Sequence, residues 1–408
     1  MGLGLVSASL AAASAVVGCE GNCEDKLSCG PQVVSDGGSV AAGGSGGTGD
    51  GGTGGAGGMG PSYPPGAAIA TGVSFSCAMV AGTVHCWGNN DRGQVGNGSA
   101  AAVEPSPQQV ELADAALEIV AGAAHACARL TDGSVWCWGA NDEGQLGDGS
   151  FVSRSEPVLV AALDPAVELS AGSFNTYARH SDGSLSAWGR GKGLGNGSGS
   201  GQHSGVPTVA PLQQVLSLHE DTCAQLTTGT LSCWGVEPDY LPVEIATPTA
   251  VTSAANHILW AAGAEAHLCV STAQGSVLCR GSNFCGVLGL GAGTTDVADL
   301  TTLGDLQDVE SVVCGASYCL ATEQGGLVKY WGTLVTSDCE DFNMVDAYTP
   351  SVLPFGGSAV HSMSVGHEHA CILDEQERVY CWGNNQDGAL GNGSSGGVEP
   401  VPTQVGGL

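Results

Sequence analysis

The chain has 408 residues, of which 12% are charged and 67 are glycine, and its 40 acidic residues outnumber 10 basic ones to give a formal charge of −30. This length allows two average domains or one large repeat architecture with a well-buried core. The acidic balance and the lack of a basic patch argue against binding to nucleic acid or to anionic lipid headgroups, because both normally depend on clusters of Lys and Arg.

The N-terminal segment is typical of a bacterial lipoprotein. Residues 1–18 are small and apolar and lead into "AVVGC", although they lack the Lys or Arg usual at the start of a signal peptide. A buried apolar helix is the alternative, but "CEGNCEDKLSCG" and a glycine tract follow it instead of a domain. We predict a signal peptide over 1–18 and lipidation of Cys19, which locates the protein in the cell envelope and at the membrane only through a lipid anchor. No other segment reaches the roughly 18 apolar residues that span a bilayer.

Residues 19–62 are predicted to be a flexible tether. Much of the glycine of the chain lies in the tract from Gly37 to Gly60. Such a tract buries too little apolar area to offset the entropy lost on ordering.

Trp-Gly pairs recur along the rest of the chain, and Arg280-Gly281 takes the same place in one unit. Successive anchors are 51, 50, 46, 46, 51 and 51 residues apart, which is the size of a four-stranded propeller blade and predicts seven units. The pairs begin at Trp87, Trp138, Trp188, Trp234, Trp331 and Trp382. The loop "CWGNNDRGQVGNGS" at 86–99 returns at 137–150 and 381–394 in closely similar form. This repetition favours a scaffold over a phosphate-binding or catalytic loop, and no lysine follows the glycines.

Each unit is predicted to contain four strands. In the second unit, "LEIVAG" precedes a hairpin from His125 to Gly139, and a Pro-x-x-Val strand follows the glycine-rich loop. The first hairpin has no Pro-x-x-Val strand before it, whereas the last such strand, at 402–405, has no hairpin after it. We therefore predict an all-β, seven-bladed β-propeller over residues 63–408 that is closed by pairing of its N- and C-terminal strands.

These repeats resemble the regulator of chromosome condensation repeat family. The resemblance covers residues 63–408 and is strongest in units one, two and seven, whereas units four and six lose the Gly-x-Leu-Gly element of the loop. The residues of unit two that carry it are Ala121-Gly122, His125, Cys127, Asp132-Gly133, Trp138-Gly139, Asn141, Gly144-Gln145-Leu146-Gly147 and Gly149. The resemblance implies a seven-bladed propeller.

Ten cysteines recur in pairs nine or ten residues apart around the hairpin turns. Unit three has Tyr177 and Ala187 at these positions and unit six has Leu320 and Tyr330, so the thiols are present or absent together. A zinc site needs about four converging ligands, but one hairpin supplies two. We therefore predict five cross-strand disulfides and an oxidising compartment. The predicted bonds join Cys77 to Cys86, Cys127 to Cys137, Cys223 to Cys233, Cys269 to Cys279, and Cys371 to Cys381. Cys23 and Cys29 are available to pair in the tether, and the connectivity of Cys285, Cys314, Cys319 and Cys339 stays open.

One histidine pair is a candidate metal site. In "GHEHAC", His367 and His369 would share a face of a strand, but His369 matches the repeat residue His125 and no third ligand accompanies them. We predict packing within the blade, no metal and no cofactor. No Ser/His/Asp set or paired carboxylates stand out, and turn residues such as Asp132 satisfy local backbone donors.

The family that these repeats resemble includes exchange factors for a small nuclear GTPase, a plant ultraviolet-B photoreceptor and a secreted bacterial β-lactamase inhibitor. Export is incompatible with a nuclear partner, and only Trp136 and Trp260 are left for photoreception once the anchors are removed. We therefore expect a monomeric, non-enzymatic, surface-tethered protein that binds a protein or glycan, with an inhibitor role as one form of this function. The alternative is an exported lyase or hydrolase with its site at the mouth of the ring.

The binding surface is predicted in the atypical loops of units four and six. These loops place Tyr240, Phe342 and Tyr348 beside acidic residues, and aromatic anchors among charges are typical of a protein interface. The alternative is that these loops have drifted without selection, since loops tolerate change.

Overall fold

A computed structural model of the chain describes residues 39–40, 68–196, 202–210, 212–219, 223–235, 245–250, 258–262, 267–334 and 347–408. The predicted signal peptide, the lipidation site Cys19, nearly all of the tether, and the predicted binding residues Tyr240 and Phe342 lie outside these ranges. Within them, no helix is long and apolar enough to cross a membrane.

The propeller consists of seven antiparallel sheets, each with four consecutive strands, and the sheet of blade 2 has a fifth strand at its edge, β1 (Ser39–Val40). The strands are β2–β5 in blade 1 (Ala68–Thr71, Phe75–Val80, Thr83–Asn89, Val103–Gln109), β6–β9 in blade 2 (Ala116–Ala121, His125–Leu130, Val135–Gly139, Arg154–Leu159), β10–β13 in blade 3 (Ala166–Ala171, Asn175–His180, Leu185–Gly189, Ser204–Val209), β14–β17 in blade 4 (Val215–His219, Cys223–Leu226, Leu231–Gly235, Ile245–Ala250), β18–β21 in blade 5 (Ile258–Ala262, His267–Thr272, Val277–Gly281, Val297–Thr302), β22–β25 in blade 6 (Val309–Cys314, Tyr318–Glu323, Leu327–Gly332, Ala347–Val352) and β26–β29 in blade 7 (Val360–Val365, His369–Asp374, Val379–Asn384, Val398–Gln404). Short 3₁₀ turns follow β12, at Gly191–Leu194, and β20, at Phe284–Gly286. The all-β, seven-bladed architecture is confirmed.

The prediction that the N- and C-terminal strands pair is wrong. The outer strand β29 completes blade 7, and β2, the first strand within the predicted propeller range, is the first strand of blade 1. In every blade the outer strand pairs with the third strand of the same blade, so no blade needs a strand from the other end of the propeller. The ring closes through contacts between blades instead, as the backbone N–H of Ile69 lies 3.4 Å from Ser362 Oγ and the hydroxyls of Thr71 and Ser364 lie 2.6 Å apart.

The Trp anchors are inter-blade wedges, as predicted. Trp87, Trp138, Trp188, Trp331 and Trp382 are fully buried. Five indole N–H groups donate to a backbone carbonyl in the glycine loop of the preceding blade: Trp87 to Ala389 (2.8 Å), Trp138 to Gln94 (3.0 Å), Trp188 to Gln145 (2.8 Å), Trp234 to Gly193 (2.9 Å) and Trp331 to Val287 (2.8 Å). Each of these loops therefore accepts a hydrogen bond from the Trp anchor of the blade that follows it.

The glycines of these loops are required by this contact. Gly96 has a φ of +73°, and a Cβ placed on it would lie 2.6 Å from the Trp138 ring. Both the left-handed backbone and the approach of the indole therefore exclude a side chain. The structure supports the interpretation that the recurring glycine loop, first seen at 86–99, is part of the scaffold.

The structure joins all five predicted cysteine pairs across their hairpins, with Cα separations of 4.0 to 4.2 Å. The bonds run from Cys77 to Cys86, from Cys127 to Cys137, from Cys223 to Cys233, from Cys269 to Cys279, and from Cys371 to Cys381. In the two hairpins without this pair, Tyr177 faces Ala187 and Leu320 faces Tyr330 at the equivalent register positions.

The cysteines whose connectivity stayed open are partly assigned by the structure. Cys314 bonds to Cys319 with a sequence separation of 5. Cys285 is also disulfide-bonded. The bond from Cys314 to Cys319 joins the first two strands of blade 6, so it differs from the five hairpin bonds, which join the second and third strands.

Two buried ion pairs link neighbouring blades. Glu118 accepts from Arg129 Nε at 2.8 Å and from the backbone N–H of Leu169 in blade 3 at 3.1 Å. The same arrangement recurs one blade further on, where Glu168 accepts from Arg179 Nε at 2.6 Å. Each carboxylate thus satisfies a guanidinium of its own blade and a backbone donor of the next, which offsets much of the cost of its burial.

Two residues of the predicted tether contact the ring. Ser39–Val40 form a short strand, β1, antiparallel to the innermost strand of blade 2, with Ser39 opposite Ala121 and Val40 opposite Val120. These two residues therefore lie beside the innermost strands of the propeller.

Candidate functional site

Two sets of loops lie on one face of the propeller. In an antiparallel blade, the connection between the first two strands and the connection between the last two leave the sheet at the same end. The short turns after β2, β6, β10, β22 and β26 therefore share a face with the glycine loops. We call this the loop face. The Asp-Gly turns between the second and third strands, such as that of Asp132, lie on the opposite face.

A cavity of about 70 Å³ opens on the loop face between blades 7 and 1. Its lining comprises Val73, Ser74, His367, Glu368, His369, Asn384, Gln386, Asp387 and Ala389. This volume is well below the roughly 300–1,000 Å³ of typical small-molecule sites. It suits the end of one side chain.

The Glu368 carboxylate is held in place in this cavity. Asn384 Nδ2 donates to Glu368 Oε2 at 2.5 Å, and His367 Nδ1 lies 3.9 Å from Oε1. About a third of each of the His367 and Glu368 side chains is exposed, so the pair faces the cavity and solvent. Burial lowers the pKa of His367, and the charge of Glu368 opposes that shift. With Asp387, the cavity presents two carboxylates and is suited to a cationic group.

His369 is not available to a metal together with His367. It is fully buried, and its Nε2 atom lies 2.9 Å from the hydroxyl of Ser76 in blade 1. Burial lowers its pKa to about 4, and the nearby His367 adds to this shift, so the ring is neutral at neutral pH. His369 is thus an inter-blade residue, in agreement with the packing role that the repeat predicts.

A second polar cluster lies on the loop face at blades 2 and 3. The Arg190 guanidinium lies 3.8 Å from the centroid of the Phe174 ring and 3.2 Å from Glu143 Oε1. His203 Nδ1 lies 2.5 Å from the other oxygen of Glu143. Here the carboxylate already has a guanidinium and an imidazole as partners, so this sector offers less free negative charge than the cavity at blades 7 and 1.

Of the predicted binding residues, the structure describes only Tyr348. It lies at the start of β25 and is half-buried, because its ring packs against the backbone of Gly286 in blade 5. Its carbonyl accepts a hydrogen bond from Gly291 at 2.9 Å. Tyr348 is therefore largely an inter-blade contact, and its ring is only partly available to a partner.

Sequence reasoning missed the cavity residues Asn384 and Asp387. Both lie in the loop at 381–394 of unit seven. Because this loop closely matches the repeat, the sequence pattern assigned it to the scaffold. The signal was present in "GHEHAC", where the turn of unit seven carries His and Glu and the equivalent turn of unit two has Ala123 and Ala124. Only the ring closure shows that this turn borders blade 1.

Comparison with curated proteins and solved structures finds similar proteins. The chain is 26% identical over 349 residues to the human E3 ubiquitin-protein ligase HERC2, covering 82% of this chain but only 6% of HERC2. It is 26% identical over 333 residues to the ultraviolet-B receptor UVR8 of Arabidopsis thaliana, covering 80% of this chain and 67% of that protein.

Among solved structures, yeast RCC1 (Prp20) bound to Kap60 superposes with a TM-score of 0.70 at 18% identity, over 85% of each chain. Prp20p from Saccharomyces cerevisiae, studied for its binding to Gsp1p and histones, gives a TM-score of 0.67 at 19% identity over 83% of this chain and 86% of that chain. At these identities the likeness establishes the fold.

The profile of the regulator of chromosome condensation (RCC1) repeat matches residues 81–129, 132–179 and 376–408, and a second RCC1 repeat profile matches 117–145 and 360–389. These matches fall on units one to three and unit seven, where the loops and Trp anchors are most regular. They show RCC1 repeats over residues 81–179 and 360–408, in a chain whose seven-bladed fold resembles that of yeast RCC1.

Proposed function

We propose that this propeller is a non-enzymatic binding protein whose loop face recognises a protein partner through basic side chains. The observation that carries the proposal is the cavity at blades 7 and 1, where Glu368 and Asp387 lie in a space that fits one side chain. The formal charge of −30 would steer a basic partner toward the propeller.

The family provides a precedent for this use of the fold. Yeast RCC1 was solved bound to Kap60, and Prp20p was studied for binding to Gsp1p and histones. These partners belong to those proteins, and the partner of this chain is identified here only by its chemistry. A glycan is the alternative ligand for the face, because carboxylates also accept hydrogen bonds from sugar hydroxyls, but a neutral sugar would gain no electrostatic steering from the acidic propeller.

The setting of this function is also a proposal. The sequence pattern at Cys19 supports a lipid anchor, and the five hairpin cysteine pairs support an oxidising compartment. We propose a monomeric propeller at the cell envelope, joined to the membrane through lipid and the glycine-rich segment. In this setting the loop face would meet partners outside the cytoplasm.

An exported hydrolase or lyase is the competing function, and it has one specific observation in its favour. His367, Glu368 and Asp387 form a set of His and carboxylates in a cavity, which is the arrangement that such an enzyme would need. The size of the cavity favours side-chain recognition over a substrate site.

The test is affinity capture from a membrane extract, followed by measurement of the binary complex with the purified partner. We expect E368Q combined with D387N to weaken binding at least several-fold and to reduce its dependence on salt. The matched control is D132N combined with D182N, which removes two exposed charges from the opposite face. Equal loss in both variants would contradict a specific site, and chemical conversion of the captured partner would support the enzyme.

A further inference from the structure

A cluster of three potential ligands lies at the interface of blades 5 and 6. The cluster comprises His267, Cys314 and Cys319, whose ligand atoms all lie within 4.8 Å of one another. All three side chains are buried. It is independent of the loop-face cavity and plays no part in the proposed binding function.

The position of Cys319 follows from the register of the repeats. Ser76, Thr176 and Cys319 are each paired across the hairpin with the Trp anchor of their own blade. At two of these places a histidine of the preceding blade contacts the hydroxyl, with His369 Nε2 2.9 Å from Ser76 and His125 Nε2 3.0 Å from Thr176. A histidine therefore pairs with a polar atom of the next blade.

Blade 6 replaces this hydroxyl by sulfur. His267 Nε2 lies 4.0 Å from Cys319 Sγ, and Cys314 is directly opposite Cys319 in the register of β22 and β23. In blades 2 and 7, an alanine occupies the position of Cys319 and the preceding blade presents Phe75 or Tyr318 in place of the histidine. The imidazole and the polar atom thus occur together, and blade 6 adds a second sulfur to the pair.

We propose that His267, Cys314 and Cys319 form a redox-gated site for Cu(I). Two thiolates and a neutral imidazole are soft and borderline ligands that suit this cation. A structural zinc site needs four protein ligands, and the described residues bring together three. The cluster is thus better matched to a cation that accepts three-coordinate geometry.

Reduction of the Cys314–Cys319 bond opens the site. In the oxidised form, the Cys314–Cys319 bond leaves neither sulfur as a thiolate ligand. A dithiol reductant transfers two electrons and two protons to this bond, so that two thiols form and the reductant becomes a disulfide. Cu(I) then binds both sulfurs as each thiol releases its proton to solvent. The His267 imidazole supplies the third ligand, since its Nε2 atom already lies 4.0 Å from Cys319 Sγ.

The experiment uses the full chain produced in a reducing cytosol and kept anaerobic. Cu(I) is supplied from a chromogenic Cu(I) chelator, and transfer to the protein is followed by loss of the chelator colour. X-ray absorption then counts the sulfur and nitrogen ligands. We expect a tight Cu(I) equivalent with two sulfurs and one nitrogen, whose nitrogen ligand distinguishes it from Cu(I) bound by the reduced hairpin pairs, and its loss when the chain is oxidised before titration.

Two variants and a matched control keep the result specific. C314S/C319S should lose the tight equivalent, and H267Q should weaken it at least tenfold and remove the nitrogen ligand. C127S/C137S also removes one cysteine pair, but here Thr176 lies between the sulfur and the nearby imidazole of His125, so the described residues form no three-ligand cluster and tight binding should persist in this variant. The proposal would be overturned by equal losses in both double variants or by unchanged affinity in H267Q. It would also be overturned if the Cys314–Cys319 disulfide remained intact in the folded chain under reducing conditions.

Discussion

Trp87 of blade 1 donates its indole N–H to the backbone carbonyl of Ala389 in blade 7 at 2.8 Å, so a hydrogen bond joins residues near opposite ends of the propeller. The same carbonyl accepts from Ser76 Oγ at 2.9 Å. The equivalent N–H of Trp382 has no hydrogen-bond partner in the described part of the chain. This difference makes the ring-closing bond measurable.

We predict that W87F costs about 1 kcal/mol more folding free energy than W382F, because both lose the same ring volume but only W87F loses a hydrogen bond. Ser76 continues to satisfy the Ala389 carbonyl, which limits the cost. The measurement is the denaturant midpoint of each variant. Equal destabilisation would show that this hydrogen bond contributes nothing net to closure.

The hairpin disulfides are expected to be oxidised in the native protein. Peptide mapping without reductant should recover Cys127 linked to Cys137 and the four equivalent links. Because each bridge closes a short loop within one blade, C127A/C137A should lower the free energy of unfolding by about 2–3 kcal/mol. Free thiols at most of the ten positions would refute the assignment.

Stability should depend on the protonation of Glu118. Burial raises its pKa from about 4.5 to about 7, the nearby Glu168 adds to the shift, and Arg129 opposes it. Because the folded-state pKa lies above the unfolded value, the stabilisation is fully present below about pH 4.5 and is lost as the pH rises through about 7.

The comparison is with E118Q, which keeps an acceptor for Arg129 and cannot ionise. The free energy of unfolding of the native chain should fall by about 1–3 kcal/mol relative to E118Q as the pH rises from about 5 to about 8. E111Q, at an exposed position just before β6, is the control and should follow the native profile. Parallel profiles for the native chain and E118Q would contradict the prediction.

The aromatic residues of the atypical loops should separate into two classes. Y348A is expected to destabilise the fold by about 1–3 kcal/mol, because the Tyr348 ring packs against Gly286. Y240A and F342A should weaken capture of the partner without lowering the thermal midpoint. Unchanged binding in both would favour loop drift and leave the cavity at Glu368 as the site.

The lipid anchor predicts a defined mass for the mature protein. Intact-mass analysis after membrane extraction should give a chain that begins at Cys19 and carries acyl groups. C19S should abolish acylation and release the protein from the membrane fraction. An unprocessed or unlipidated N-terminus in the native protein would rule out this anchor.

The local features of the propeller were predictable from the sequence. The number of blades follows from the spacing of the Trp-Gly anchors, and the pairing of Cys127 with Cys137 follows from a hairpin whose two strands are joined by a tight Asp-Gly turn. These features depend on contacts between residues close in the chain, where turn geometry and the two-residue period of a strand fix the partners.

Which blade each loop serves is visible only in the packing of the blades. The Gln94 carbonyl is in blade 1, yet its partner Trp138 is in blade 2. This coupling explains a substitution that the repeat pattern left unexplained: unit four lacks the Gly-x-Leu-Gly element, and unit five has Arg280 in place of the Trp that would use it. The repeat spacing alone did not assign each loop to its partner in the neighbouring blade.

The same distinction applies to closure and to the candidate sites. Both ends of the chain form complete blades, so the ring closes by side-chain contacts such as that of Ser76 with His369, which are 293 residues apart. Glu368 reaches the Ser74 turn, and His267 reaches Cys319, only because adjacent blades pack side by side. The blades and their hairpins can be read from the order of residues, because they form from local contacts. The sites between blades depend on packing, because their partners come from distant parts of the chain and leave no spacing pattern.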